Sequence, residues 1–208
     1  MNIRLFIIGS IAALAGVLGG LAFIPGAVDR LLPARETVSV GRALIGGPFE
    51  LTTQDGKRVT DKDFRGRLML VYFGFTYCPD ICPAGLQTVT AALDELGGKA
   101  DRVAPLFITV DPERDTPEQL KLYVSSFHKN LIGLTGSADD IAKAAKAYRV
   151  YYRKVEDESL SSYTMDHSSF LYLMGPDGEF ITHFPHTVQP DKLAARLAEE
   201  ISKLGADP

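Results

Sequence analysis

From Leu5 to Ile24 the chain is a strongly apolar run, and no charged residue occurs between Leu5 and Val28. At about 1.5 Å per residue, a helix of about 20 such residues spans about 30 Å, the thickness of a bilayer's hydrocarbon core. The run is longer than a cleaved signal core, so residues 5–27 are expected to form a single transmembrane anchor. Arg4 precedes the run, which by the positive-inside tendency places residues 1–4 in the cytoplasm and the rest of the chain outside. The absence of an Arg-rich presequence favours a bacterial inner membrane and a periplasmic C-terminal domain. Residues 28–45, with Pro33, Gly41 and mixed charges, lack a sustained period and read as a linker.

Residues 46–205 carry the alternating patterns of one folded domain. Phe49–Thr52 and Arg58–Thr60 flank Asp55-Gly56, a hairpin signal. Leu68–Phe75 and Ala104–Val110 are continuous apolar runs suited to strands buried on both faces. Leu86, Val89, Leu93 and Leu96 recur at spacings of 3, 4 and 3, a helical face. Thr116-Pro117-Glu118-Gln119 reads as a helix start, with Thr116 capping and Gln119 returning to it. Ile141–Tyr148 is expected to be helical, and Arg149–Glu156 and Ser169–Leu173 extended. Gly175–Gly178 is a turn before a strand at Glu179–Phe184. Leu193, Leu197, Ile201 and Leu204 mark a last helix. Strands alternating with helices between hairpins predict an α/β domain, a mixed sheet flanked by helices.

Composition changes this picture little. Apolar residues make up 46% of the 208 and charged residues 23%, as in ordinary globular proteins. A net charge of −4 lacks the basic footprint of nucleic-acid binding, and that class is set aside.

The candidate chemistry lies in Cys78 and Cys82, the two cysteines of the chain. A bond between them would close a tiny loop and contribute little as a cross-link, so redox chemistry or metal binding is the better reading. Pro83 suits the first helical position, which places Cys82 near the cap and Cys78 in the turn before it. Both sulfurs then lie at a helix N-terminus beyond the carboxyl end of a buried strand, where ligand sites of open α/β sheets cluster. That setting favours thiolate, the form that binds metal and attacks disulfides.

The stretch Phe73-Gly74-Phe75-Thr76-Tyr77-Cys78-Pro79-Asp80-Ile81-Cys82-Pro83 resembles the signature of the SCO/SenC family. Gly46–Leu51, Val110–Pro117 and Asp166-His167-Ser168 resemble three further stretches of that family, in order. The resemblance implies a thioredoxin-like fold with an N-terminal membrane anchor. It implies one copper ion per domain, Cu(I) or Cu(II), held by Cys78, Cys82 and His167. It also implies a copper chaperone for the binuclear copper site of cytochrome c oxidase subunit II, a monomeric domain served by another periplasmic copper chaperone. The alternative is a thiol–disulfide reductase in which Cys78 and Cys82 form a redox-active pair, and possible disulfide, that keeps the oxidase cysteines reduced. A peroxidase or redox sensor using one sulfenic acid is a third class.

Asp111, at the end of its strand, either lines the metal pocket or shapes the turn before Pro112. Asp166 either orients the neighbouring imidazole or contacts a partner. Asp80 shapes the cysteine turn. His183 and His186, separated by Pro185, read as a solvated loop.

Overall fold

The computed structural model describes residues 44–156 and 163–204. The expected anchor (5–27) and all but the end of the expected linker (28–45) lie outside the described residues. Among the described residues, no helix is long and apolar enough to cross a membrane.

Among the described residues, nine strands and four α-helices follow in chain order. Strands β1 (Glu50–Thr53) and β2 (Arg58–Thr60) form the hairpin read from Asp55-Gly56. Gly56 takes φ +78°, a left-handed conformation that glycine adopts without steric cost. Next come β3 (Leu68–Gly74), helix α1 (Ile81–Leu96), β4 (Val103–Thr109) and helix α2 (Pro117–Val124). Strand β5 (Ile132–Thr135), helix α3 (Ala138–Ala147) and the strands β6 (Tyr152–Val155) and β7 (Thr164–His167) follow. Strands β8 (Phe170–Met174) and β9 (Phe180–Pro185) and helix α4 (Pro190–Leu204) complete the domain.

Seven strands form one sheet in the order β2-β1-β5-β4-β3-β8-β9, and β6-β7 make a separate antiparallel ribbon. Strands β3, β4 and β5 are parallel, whereas β1, β8 and β9 run antiparallel to their neighbours. The mixed, helix-flanked sheet is therefore as expected, and its layering is thioredoxin-like.

All seven residues of β3 and all seven of β4 are buried, the reason both read as unbroken apolar runs. Successive side chains feed opposite faces. Met69, Val71 and Phe73 pack with Ile141, Ala144 and Tyr148 on one side. Leu68, Leu70 and Tyr72 pack with Leu86, Leu93, Leu120, Leu193 and Leu197 on the other. Helices α1, α2 and α4 thus cover one face and α3 the other. Each fully buried Leu or Phe stabilises the fold by about 1.5–3 kcal/mol relative to exposure.

Three local expectations are corrected. Helix α1 begins at Ile81, so Cys82 is its second residue and Pro83 its third. Proline fits there as well, because the first four N–H groups of a helix have no intrahelical partner. Thr116 does cap α2, accepting from the Gln119 N–H at 3.3 Å, but the Gln119 side chain donates to Thr76 Oγ1 at 3.4 Å instead of returning to the cap. His183 lies within β9, edge-on to Phe170 and stacked on Phe180, not in a loop.

Candidate functional site

The register of β3 on β4 pairs Gly74 with Thr109, so both strands end level and release their loops at one rim of the sheet. The loop after β3 carries Phe75 to Asp80, and the loop after β4 carries Val110 to Thr116. The ribbon brings a third segment to the same rim, with Tyr152 opposite His167 at its end.

The two loops are tied by a buried carboxylate. Asp115 accepts from the Thr76 N–H at 3.0 Å, the Thr76 hydroxyl at 2.6 Å and the Thr109 hydroxyl at 2.6 Å. Burial raises the pKa of Asp115, while those three donors oppose the shift. Asp111 is also buried. It pairs with Arg114 and accepts from the Tyr163 hydroxyl at 2.8 Å. Arg114 lies 3.7 Å from the Tyr163 ring centroid and 4.7 Å from that of Tyr77, and donates to the Tyr163 carbonyl at 2.9 Å. Asp111 and Arg114 therefore hold the start of β7 against the loop after β4, which fixes where His167 can stand.

Cys82 is fully buried and Cys78 half-buried, and the two thiols are not bonded to each other. The Cys82 N–H donates to Cys78 Sγ at 3.4 Å, so the Cys78 sulfur stands where a capping oxygen usually would. The neighbouring Cys82 side chain, with the Cys82 and Asp80 N–H groups, pulls the Cys78 pKa down to about 5. The Cys82 pKa is raised by the Cys78 side chain, by burial and by the adjacent charge. Of the two sulfurs, Cys78 is therefore the more acidic.

Cys82 Sγ lies 3.6 Å from His167 Nε2. On the other side of the ring, Nδ1 is 3.0 Å from the Ser168 carbonyl oxygen. A carbonyl only accepts, so Nδ1 carries the proton and Nε2 presents its lone pair toward the sulfur. Burial lowers the His167 pKa and keeps the ring neutral. The ring stands edge-on to Phe75 at 5.8 Å between centroids. Asp166 points away, exposed and 3.4 Å from Arg153, so its side chain does not orient the imidazole.

Thiolate and imidazole donors bind a zinc-sized ion at about 2.3 and 2.0–2.1 Å, which separates them by about 3.5–3.8 Å at tetrahedral to trigonal angles. The spacing of Cys82 and His167 falls within that range. Cys82 touches both other donors, yet among the described residues no group of three or more Cys, His, Asp or Glu is assembled closely enough to hold an ion outright. Tyr77, Pro79, Asp80 and Ile81 are exposed around the site.

Two residues that build the site lie in the matched stretches without a role legible from the sequence. Asp115 is one. The other is Gly74, where a Cβ would lie 2.9 Å from Cys82 Sγ and 2.7 Å from the Phe107 ring. A glycine inside an otherwise apolar strand is the signal of such close approach.

The fold and site together define a thioredoxin-like domain with a thiol pair and an imidazole at the carboxyl rim of its sheet. The sequence model described as SCO1/SenC matches residues 38–202, and the chain belongs to that family. It is 44% identical over 161 residues to the mitochondrial SCO1 homolog of Homo sapiens, covering 76% of this chain and 54% of that one. The chain spans about half the length of the human protein and of the Arabidopsis thaliana relative it matches. The structure of Bradyrhizobium japonicum ScoI with copper bound superposes with a TM-score of 0.71 at 47% identity, covering 75% of this chain and 99% of that chain. A structure of BsSco, a member of the Sco family of cytochrome c oxidase assembly proteins with a disulfide switch, superposes with a TM-score of 0.62 at 27% identity. It covers 78% of this chain and 96% of that one.

Proposed function

We propose that this chain is a membrane-anchored copper chaperone for the binuclear copper site of cytochrome c oxidase subunit II. It would take one copper ion, Cu(I) or Cu(II), through Cys78, Cys82 and His167. The observation that carries the reading is the 3.6 Å approach of the His167 Nε2 lone pair to Cys82 Sγ, with the Cys82 N–H donating to Cys78 Sγ at 3.4 Å. Family membership supports it, as does the copper bound by the Bradyrhizobium protein. Two thiolates and an imidazole are a soft donor set, suited to copper. Closing the set requires the Cys78 sulfur to turn from the helix N-terminus toward His167.

A three-donor site keeps one face open to incoming ligands. Thiolates of the partner can then replace the chaperone's donors in turn, with the ion never released to water. Exposed Tyr77 and Ile81 flank that face as an apolar docking rim. The N-terminal apolar run would hold the domain, a monomer, on the periplasmic side of a bacterial inner membrane, where a second copper chaperone supplies the ion.

A reductase is the second reading, favoured by the lowered pKa of Cys78 beside the Cys82 side chain. Cys78 would attack a target disulfide. Cys82 would then displace the reduced target, leaving a Cys78–Cys82 disulfide.

One experiment separates the two. The reduced chain, loaded with Cu(I), is mixed with the soluble domain of subunit II in its reduced or its disulfide form. The chaperone reading predicts one equivalent of bound copper, transfer to the reduced domain, and loss of transfer in His167→Ala. Reduction of the disulfide form at equal rates by the parent and His167→Ala, without copper transfer, would establish the reductase instead.

A further inference from the structure

We infer that Met165 gives the copper site a third sulfur donor and biases it toward Cu(I) over Cu(II) and zinc. The inference rests on the copper-binding reading above and concerns a residue that reading does not use.

Met165 and His167 stand two residues apart on β7, so they share one face of the ribbon. Asp166 between them is exposed and faces Arg153. A cavity of about 280 Å³ has Phe75, Cys78, Met165 and His167 in its lining, with Asp80 and Asp166 also on its wall. Met165 is half-buried and packs against the apolar group that contains Cys82 and Phe75. Met165 thus lines the same open cleft as Cys78 and His167.

A wall in that position needs no sulfur. Half-buried strand positions favour β-branched or aromatic side chains, any of which would fill the space. What methionine adds is a neutral, polarizable donor on a flexible stem. Thioethers select Cu(I), whereas zinc and Cu(II) accept the thiolates and imidazole without needing one. A neutral donor also adds no charge to a site that already holds two thiolates. It can occupy the open position while the ion is stored and yield it to an incoming thiolate.

The test compares the parent chain with Met165→Leu, which keeps the bulk and removes the sulfur. Competition titrations are run with Cu(I), Cu(II) and zinc. The Cu(I) affinity is expected to fall by at least about tenfold, the low end of what losing even an outer-shell partner costs a metal site. Affinities for Cu(II) and zinc are expected to stay unchanged. Independently of any variant, selenium-edge X-ray absorption of the selenomethionine-labelled, Cu(I)-loaded parent should show a copper neighbour. An unchanged Cu(I) affinity, an equal loss for all three ions, or no copper neighbour at selenium would overturn the inference while leaving the chaperone reading intact. A parent chain that binds no copper would overturn both.

Discussion

Asp115 accepts both the N–H and the hydroxyl of Thr76, at 3.0 and 2.6 Å, and so joins the loop after β4 to the loop that carries the cysteines. Removing that carboxylate leaves three donors without their acceptor. Asp115→Ala is expected to destabilise the domain by about 2–4 kcal/mol in urea unfolding. The pH dependence has a definite sign. The folded-state pKa of Asp115 is raised, chiefly by burial. Its contribution is therefore fully present below the ordinary Asp pKa, about 3.9, and is lost as pH rises through the folded value. The difference between parent and Asp115→Ala should grow as pH is lowered from 7 toward 4. A difference that shrinks over that range would contradict the assignment.

Gly74 lets the Cys82 sulfur sit against the end of β3. In Gly74→Ala the new methyl meets that sulfur and the Phe107 ring at contacts real Cβ atoms do not show. Backbone and ring must shift, at a cost of about 1–3 kcal/mol. Copper affinity should fall with the displaced sulfur, and calorimetric unfolding with a copper competition titration would check both effects.

The Cys78 thiolate depends on its neighbour. In the reduced, metal-free chain, iodoacetamide should label Cys78 with a half-maximal rate near pH 5 and leave Cys82 unlabelled, as peptide mass spectrometry would show. Cys82→Ala removes the side chain that lowers the Cys78 pKa. Its half-point should move up toward the free-thiol value of about 8.5.

Arg114 holds the ribbon by its flat guanidinium, between Tyr163 and Tyr77 and paired with Asp111. Lysine keeps the charge but neither the plane nor the forked donors. Arg114→Lys is expected to speed amide hydrogen exchange across Thr164–His167 and to weaken copper binding, while exchange in β3 and β4 stays at the parent rate.

The central strands are legible because β3 and β4 are buried on both faces, and burial on both faces removes the polar alternation that a half-exposed strand would carry. The hairpin is legible from Asp55-Gly56, and α4 from its leucine spacing. Strand β5 is not, being four residues long with a glycine, Gly133, at its second position. Strand β7 is not legible either. Thr164-Met165-Asp166-His167 has no apolar period, and it is extended because β6 pairs with it. The cysteine pair stands out by its spacing and by its place after a buried strand. His167 enters through family resemblance alone, since nothing local in Asp166-His167-Ser168 tells that a ribbon returns it to the cysteines. Asp115 is silent in the sequence because its partners, Thr76 and Thr109, are distant along the chain or on another element.

A copper site here requires the ring of His167 and the sulfur of Cys82 to grip the same ion. Copper-edge X-ray absorption of the one-to-one Cu(I) complex measures this most directly. The parent should show sulfur neighbours together with the outer-shell scattering of a single imidazole, and His167→Ala should keep the sulfurs and lose the imidazole. A parent spectrum with no imidazole, or one unchanged by His167→Ala, would contradict it.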